Sequence, residues 1–180
     1  MTPRHPGPSA DPGGEVVVTT GPGEPVAIGP LRPDELGDLF AVFADVVATG
    51  DGFPQVPPLT DSDFEAAWVR PPAVVVAGRS AGQLIGAYYL RPNFPGRAAH
   101  IANAGYVVAR SRRRGGVGRL LVEDSLRRAP RLGFDAIQFN LVFAANPARR
   151  LYEELGWRQI GRIPDAVEGS DALIYWRRVG

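Results

Sequence analysis

The 180-residue chain contains no cysteine and no lysine. Without cysteine it can form no disulfide, supply no thiolate to a metal ion and use no cysteine as a nucleophile. No metal site is expected. Lysine is the residue that NTP-binding loops place on their phosphates, so its absence excludes that class of site. All side-chain positive charge outside histidine rests on 20 arginines, which nearly balance 19 acidic residues.

Long apolar runs are also missing. The longest candidates, at 73–77, 84–90 and 141–145, are far shorter than the roughly 20 residues that a membrane span needs. The first residues place Arg4 and His5 among prolines and glycines and lack the apolar stretch of a secretory signal. The sequence therefore predicts a soluble, cytoplasmic protein without a membrane partner.

Composition and apolar spacing predict one domain. With 44% apolar residues the chain can bury a core of its own. Residues 1–24 form a flexible, Pro/Gly-rich tail, which has room for one edge strand at 15–20. Residues 25–180 form the domain. The order of its strand-like and helix-like segments predicts an α/β (mixed α+β) fold, with a central mixed sheet of about seven strands flanked by helices.

Two segments of this domain carry specific expectations. A helix at 33–47 is expected to bury a stripe that includes Leu36 and Phe43. The strand at 136–143 alternates, and we expect it to point Gln138 and Asn140 to one face. Its opposite face is expected to carry Ile137, Phe139, Leu141 and Phe143.

A glycine-rich loop stands between an apolar strand at 106–108 and a helix at 119–129. It reads Arg113-Arg114-Gly115-Gly116-Val117-Gly118. Its glycines let the backbone approach an anion, and the following helix presents unpaired N–H groups and the positive end of its dipole. The dinucleotide pattern requires a glycine where Leu121 stands. The loop is therefore predicted to bind a diphosphate of another kind.

A second segment, 146–157, is predicted to be a short capped helix. Asn146 suits the N-cap, Pro147 the first helical position and Gly156 the turn after the last. One apolar stripe is formed by Ala148, Leu151, Tyr152 and Leu155.

The two segments together resemble the GCN5-related N-acetyltransferase (GNAT) superfamily. The loop resembles its pyrophosphate loop, Arg/Gln-x-x-Gly-x-Gly, and 146–157 resembles its Asn-x-x-Ala-x-x-Leu-Tyr-x-x-x-Gly-Phe segment. The resemblance covers residues 31–178 and implies a GNAT-like fold and transfer of an acetyl group from acetyl-CoA directly to an amine. It implies that the coenzyme contacts Tyr106, Val107, Val108, Arg113, Arg114, Gly115, Gly116, Val117, Gly118, Arg119, Asn146, Ala148 and Tyr152.

The charge distribution is consistent with that ligand. Eight arginines and two acidic residues lie between Arg110 and Arg131. Such a patch attracts phosphates of nucleic acid or of coenzyme A. We favour the coenzyme and expect no nucleic-acid partner, because no stacking aromatics accompany the arginines.

The resemblance also implies catalytic roles. Tyr152 would protonate the departing thiolate, and the N–H of Val107 or Val108 would stabilise the oxyanion. Where many relatives carry a glutamate as the base, this chain has none. Water held by Asn103, or an acceptor amine of low pKa that needs no base, would fill that role, with His100 as a weaker alternative. Tyr152 has a second interpretation as a packing residue.

A narrower resemblance points to the acceptor. Residues 91–97, 103–106, 139–143 and 160–164 are similar to yeast acetyltransferases that act on proline analogues such as azetidine-2-carboxylate. This implies a small-molecule amine substrate held by Asn103 and Asn140, with Arg97 as a candidate partner of its carboxylate. Asn140 has an alternative interpretation as a core amide satisfied by the backbone.

The sequence leaves other functions open to comparison. Peptide or protein N-acetylation is the alternative within the same class, and a non-catalytic acyl-CoA-binding module is the alternative outside it. A hydrolase is disfavoured because no Gly-x-Ser-x-Gly motif is present. A homodimer is one assembly open to the chain.

Overall fold

The computed structural model describes residues 13–19, 24–50, 52–70 and 74–180. Its strands are β1 (Val16–Thr19), β2 (Pro25–Pro30), β3 (Val74–Ser80), β4 (Gln83–Pro92), β5 (Ile101–Val108), β6 (Ala136–Phe143), β7 (Arg158–Val167) and β8 (Ser170–Arg178). Its α-helices are α1 (Leu36–Ala48), α2 (Asp61–Phe64), α3 (Val117–Arg131) and α4 (Arg149–Glu154), and a π-helical turn, Glu65–Val69, extends α2.

The described strands form one mixed sheet. Their order is β1-β2-β3-β4-β5-β6-β8-β7, so the sheet has eight strands where the sequence predicted about seven. Every neighbouring pair is antiparallel except β5 and β6, which run parallel. The chain crosses between those two strands through α3. The predicted α/β fold with a mixed sheet is confirmed.

Each face of the sheet is covered by its own apolar cluster. One cluster joins α3 and α4 to the sheet through residues such as Leu121 and Tyr152. The other joins α1 and the α2 region to the opposite face through residues such as Phe43 and Trp68. The active-site candidates are held between two packed layers, one on each face of the strands that carry them.

Helix boundaries follow local chemistry. Thr60 caps α2 by accepting the Asp63 N–H at 3.1 Å, as its position predicted. A 3₁₀ turn, Pro33–Glu35, precedes α1, so Leu36 is the first residue of the helix and lies at its end. Leu36 is 38% exposed, so the expectation that it belongs to the core is wrong, whereas Phe43 is fully buried.

The predicted alternation in β6 holds only for its first half. Phe139 is buried and Asn140 is exposed, as expected, but the pairing with β8 shifts between Phe139 and Val142. This bulge moves Val142 into the core and leaves Leu141 and Phe143 half-buried. The prediction that Leu141 and Phe143 share the face of Phe139 is wrong, because an unpaired extra residue reverses the alternation.

The predicted tail is described only in part. Residues 1–12 and 20–23, and position 73 of the predicted hairpin, lie outside the described residues. The expected edge strand is present as β1, which pairs with β2. The side chain of Arg128 in α3 donates hydrogen bonds to the carbonyls of Gly13 and Gly14 at 3.1 and 3.0 Å. Across the described ranges, no helix combines the length and the apolar character of a membrane span.

Candidate active site

The site is a cleft at the only parallel junction of the described sheet. Strands β5 and β6 pair from Ile101 with Ala136 to Asn103 with Gln138, and no pairing follows. Beyond that point the two strands separate and leave a cleft of about 860 Å³. Several predicted site residues line the cleft, namely Asn103, Tyr106, Val107, Val108, Arg113, Arg114, Gly118, Asn140, Asn146, Ala148 and Tyr152.

The separated edge of β5 presents backbone donors to the cleft. Two hydrogen bonds show which residues of β5 bond to β4: the Asn93 N–H donates to the Ile101 carbonyl, and the Ala109 N–H donates to the Ile85 carbonyl. In an antiparallel ladder alternate residues bond to the neighbouring strand, so odd-numbered residues of β5 face β4. The N–H groups of Tyr106 and Val108 therefore face the cleft. Of the two predicted oxyanion donors, Val108 has the required direction and Val107 does not.

The glycine loop forms one end of the cleft. Helix α3 begins at Val117, two residues earlier than expected, and no side chain caps its first N–H groups. Gly116 has a φ of +81° and Arg114 a φ of +65°, so two left-handed residues turn the backbone into the helix. Uncapped N–H groups and exposed arginines at one helix N-terminus form a seat for an anion.

Four predicted coenzyme contacts lie off the cleft wall. Gly115 and Gly116 belong to the loop that leads to it, and Val117 is buried in the core. Arg119 forms ion pairs with Glu154 and, at 3.8 Å, with Glu123. Its side chain thus joins α3 to α4 across the surface.

The segment before α4 forms the opposite wall. The regular helix begins at Arg149 with Ala148 at its N-cap and no side-chain cap, so the predicted helix start, with Asn146 as N-cap and Pro147 as first helical residue, is two residues too early. Asn146 instead stabilises the turn before α4, because its Oδ1 accepts the Ala148 N–H at 2.9 Å. Tyr152 is 9% exposed and packs against Phe139, with ring centres 4.7 Å apart. Burial raises the pKa of the Tyr152 hydroxyl, which keeps its proton in place at neutral pH. The hydroxyl can therefore act as a hydrogen-bond donor in the cleft.

Asn103 lies where the two strands separate. Its Nδ2 donates to the Gln138 carbonyl of β6 at 3.1 Å, and its Oδ1 accepts the Tyr89 hydroxyl at 3.1 Å. The first bond joins the strands at the last paired position. The second bond draws the Tyr89 ring across Gly105, where a Cβ atom would lie 2.6 Å from the ring. Asn103 thus holds together the closed end of the cleft.

Asn140 is placed on the polar face of β6, as predicted. It exchanges two hydrogen bonds with Asn93, at 2.6 and 3.1 Å, and its Oδ1 also accepts from Gln138 at 3.0 Å. These amide contacts leave its oxygen satisfied. The alternative interpretation as a core amide satisfied by the backbone is wrong, because Asn140 is exposed and its partners are side chains.

Two candidates from the sequence stand outside the cleft. His100 lies before β5 with its Nδ1 3.0 Å from the Arg97 carbonyl oxygen, and Arg97 is exposed. Neither side chain lines the cleft. The cleft is instead lined by Arg91, Asp63 and Tyr89, which sequence reasoning missed as site residues. Arg91 could have been found from the sequence, because it lies two residues after Tyr89 on one strand, so that both side chains share a face of the sheet.

The loop after α1 covers part of the cleft. Gly52 approaches Asn146 so closely that a Cβ atom at Gly52 would lie 3.2 Å from the Asn146 Nδ2. Phe53 and Gln55 of the same loop line the cleft, and the Oε1 of Gln55 is buried without a hydrogen-bond partner in the described part of the chain. The cleft is therefore narrowed on the side of α1.

Comparison with protein families gives one match. The profile of the Acetyltransferase (GNAT) family matches residues 43–157, which include β5, the glycine loop, α3 and α4. The match covers both segments that carried the resemblance in the sequence.

Individual proteins agree with this match. The chain is 49% identical over 99 residues to N-acetyltransferase aca1 of Schizosaccharomyces pombe, an alignment that covers 51% of this chain and 47% of that protein. The chain thus spans about half the length of that relative. A GCN5-related N-acetyltransferase from Kribbella flavida superimposes with a TM-score of 0.78 at 31% identity, over 85% of this chain and 97% of its own.

A more distant structure contains the coenzyme. A GNAT superfamily phosphinothricin acetyltransferase from Sinorhizobium meliloti, solved in complex with acetyl-CoA, superimposes with a TM-score of 0.75. It is 17% identical, and the superposition covers 86% of this chain and 89% of its own. This likeness shows a shared fold.

Proposed function

Because this chain belongs to the GNAT acetyltransferase family, we propose that it is an acetyl-CoA-dependent N-acetyltransferase whose acceptor is the amine of a small molecule. The observation that carries the proposal is the separation of β5 from β6 beside an uncapped helix N-terminus. In one cleft this combines an anion seat, an edge of free backbone donors and a buried hydroxyl. The domain proposed to do this chemistry is residues 25–180.

The cleft fits the shape and charge of the coenzyme. Its diphosphate would lie on the N–H groups at the start of α3, near Arg113 and Arg114. Its amide-bearing arm would lie along the free edge of β5, where the Tyr106 N–H supplies a strand-like hydrogen bond and the Val108 N–H is left for the acetyl oxygen. Asn146 and Ala148 would form the facing wall. When bound, acetyl-CoA supplies a thioester that is reactive toward amines.

The residues of the chain assist the transfer in three ways. The Val108 N–H stabilises the negative charge that develops on the acetyl oxygen. Tyr152 donates its proton toward the sulfur as the carbon–sulfur bond breaks. Asn103 keeps one N–H of its amide beyond the bond to Gln138 and holds the acceptor, or a water that removes its proton. A carbon–nitrogen bond forms, one proton leaves the amine, and one proton reaches the thiolate.

The covered cleft favours a small acceptor over a peptide. The close approach of Gly52 to Asn146 narrows the cleft on the side of α1, and Tyr89 fills the space over Gly105. An extended peptide needs an open groove for several residues, whereas a single amino acid does not. The resemblance to the proline-analogue acetyltransferases supports the same choice, with Asn103 and the second amide N–H of Asn140 as contacts.

A charge placed at the start of α3 tests the proposed diphosphate seat. Gly118 is the second residue of α3, and a Cβ there meets only Val108 Cγ2, at 3.8 Å. In Gly118→Glu the side chain fits, and a carboxylate in a first helical turn favours the helix. We expect this variant to stay folded and to lose roughly tenfold or more of its acetyl-CoA affinity in calorimetry, because like charges meet.

The matched control is Gly37→Glu. Gly37 is the second residue of α1, and a Cβ added there would meet no atom within 4 Å. It receives the same charge at the same helical position outside the cleft, and its acetyl-CoA affinity should equal that of the wild type. Equal affinity in both variants would refute the diphosphate seat. Tight acetyl-CoA binding without thiol release for any amine would identify a non-catalytic module.

A further inference from the structure

Arg91 is a cation in the cleft that the proposed coenzyme contacts do not use. It lies on β4 opposite Asn103, far along the sheet from the glycine loop that follows β5. It shares a strand face with Tyr89, and its guanidinium carbon lies 4.6 Å from the centre of the Tyr89 ring. The residue is half-buried and lines the cleft.

The hydrogen bonds of Arg91 leave much of its guanidinium unused. Its Nη1 donates to the carbonyls of Ala67 and Ala66 at 3.3 and 3.5 Å. Its Nε and Nη2 donate no hydrogen bond, and Arg91 forms no ion pair with a carboxylate, within the described ranges of the chain. The Tyr89 ring and two carbonyls hold the half-buried guanidinium in place. Its Nε and Nη2 N–H groups remain available, and this pair matches the two oxygens of a carboxylate.

An opposite charge lies nearby on the same side of the sheet. Asp63 lines the cleft and precedes Ala66 and Ala67 by about one helical turn. Its Oδ2 accepts the Thr60 hydroxyl at 2.6 Å, and it has no ion-pair partner in the described part of the chain. The acceptor end of the cleft therefore presents one cation and one anion that do not pair with each other.

We propose that Arg91 binds the carboxylate of the acceptor and that Asp63 attracts its ammonium group, so that the acceptor is a free α-amino acid. This inference rests on the proposed acetyltransferase function. A peptide carries its free amine and its free carboxylate many atoms apart, and a simple amine has no carboxylate. Only an amino acid offers both charges within the narrow end of the cleft.

The test removes the positive charge of Arg91 from the protein and, separately, the carboxylate charge from the substrate. Acetyl transfer is measured by thiol release for azetidine-2-carboxylate, proline and several primary α-amino acids, each compared with its own carboxamide. In the wild type we expect kcat/KM to favour the carboxylates by roughly tenfold or more, as for hydrogen bonds to a charged group. In Arg91→Gln the preference should vanish, with unchanged calorimetric affinity for acetyl-CoA. Asp63→Asn should raise the KM of both forms.

The control is Arg97→Gln, which removes an exposed arginine outside the cleft and should retain the preference for carboxylates. An equal loss for acids and amides in Arg91→Gln would mean that Arg91 only supports the fold and would overturn the inference. So would equal rates for acids and amides in the wild type. If no acceptor of any kind is acetylated, the proposed function itself fails, and this inference fails with it.

Discussion

Gly105→Ala is expected to destabilise the protein by about 2 to 4 kcal/mol, because it forces the Tyr89 ring out of its place. An added Cβ would lie 2.6 Å from Tyr89 Cε1 and 2.9 Å from its hydroxyl oxygen. The ring has little room to move, since it is 7% exposed and packs edge-on against Trp68 at 5.3 Å.

Two terms make up this magnitude. Overpacking a well-packed site costs about 1–3 kcal/mol, and loss of the Tyr89–Asn103 hydrogen bond costs about 1 kcal/mol more. For a domain of this size, the sum corresponds to a fall in Tm of roughly 4–15 °C. The displaced ring also removes the support of Arg91, so the KM of the acceptor should rise while acetyl-CoA affinity is kept.

Thermal unfolding followed by circular dichroism measures the first effect and steady-state kinetics the second. Gly37→Ala is the matched control, because a Cβ there meets no atom within 4 Å. It should be as stable as the wild type, or more stable by about 0.5–1 kcal/mol, since alanine favours a helix. A Gly105→Ala variant with the Tm and acceptor KM of the wild type would refute the packing argument.

Three further outcomes are expected. Tyr152→Phe should lower kcat by roughly 10²-fold or more with unchanged acetyl-CoA affinity in calorimetry, because it loses only the hydroxyl, and a wild-type kcat would make Tyr152 a packing residue. Arg79→Leu should cost about 3 kcal/mol in urea unfolding, since the buried Glu35 loses its guanidinium partner and keeps only the Arg32 N–H at 2.8 Å and the more distant Arg32 side chain. Arg70→Leu, at an exposed pair with Glu65, should cost under about 1 kcal/mol, and similar costs for both would contradict this. Burial raises the pKa of the Tyr88, Tyr106 and Tyr152 hydroxyls above about 10, the pKa of tyrosine in the unfolded chain. Their contribution to the free energy of unfolding is therefore complete below about pH 10 and falls above it by about 1.4 kcal/mol per pH unit for each tyrosine. Tyrosinate absorbance that rises before the protein unfolds would contradict this.

Features with local causes were predictable from the sequence. The glycine loop and the segment from Asn146 to Gly156 depend on backbone preferences of the residues within them, so their order and approximate ends were recognised. The bond from the Ala148 N–H to the Asn146 side chain and the left-handed Gly156 follow directly from those residue types, although α4 begins two residues later than expected. The order of helices and strands also predicted a mixed sheet, because a helix between two strands allows them to pair in parallel, whereas a short turn makes them antiparallel.

Features that depend on distant pairing were not predictable in this way. The bulge in β6 arises from its register with β8, which no local pattern encodes, and it reversed the faces expected for Leu141 and Phe143. The same holds for the direction of the β5 N–H groups, which the ladder with β4 decides. Arg91 is placed by the carbonyls of Ala66 and Ala67 and by its pairing with Asn103, on two elements that are separate from β4 in the sequence. Arg97 was the arginine favoured by sequence because its distance from the cleft could not be seen.

The central claim is that the cleft between β5 and β6 binds acetyl-CoA and passes its acetyl group directly to a small amine. The most direct measurement is the stoichiometry of one reaction, with coenzyme A thiol counted by a chromogenic reagent and acetylated acceptor counted by mass spectrometry. We predict one thiol released per acetylated amino acid, with no acetyl group left on the protein. At an acetyl-CoA concentration below the KM of the wild type, release by Gly118→Glu should be slower by roughly tenfold or more. Thiol release without an acetylated amine, acetylation confined to peptides, or full activity in Gly118→Glu would contradict the claim.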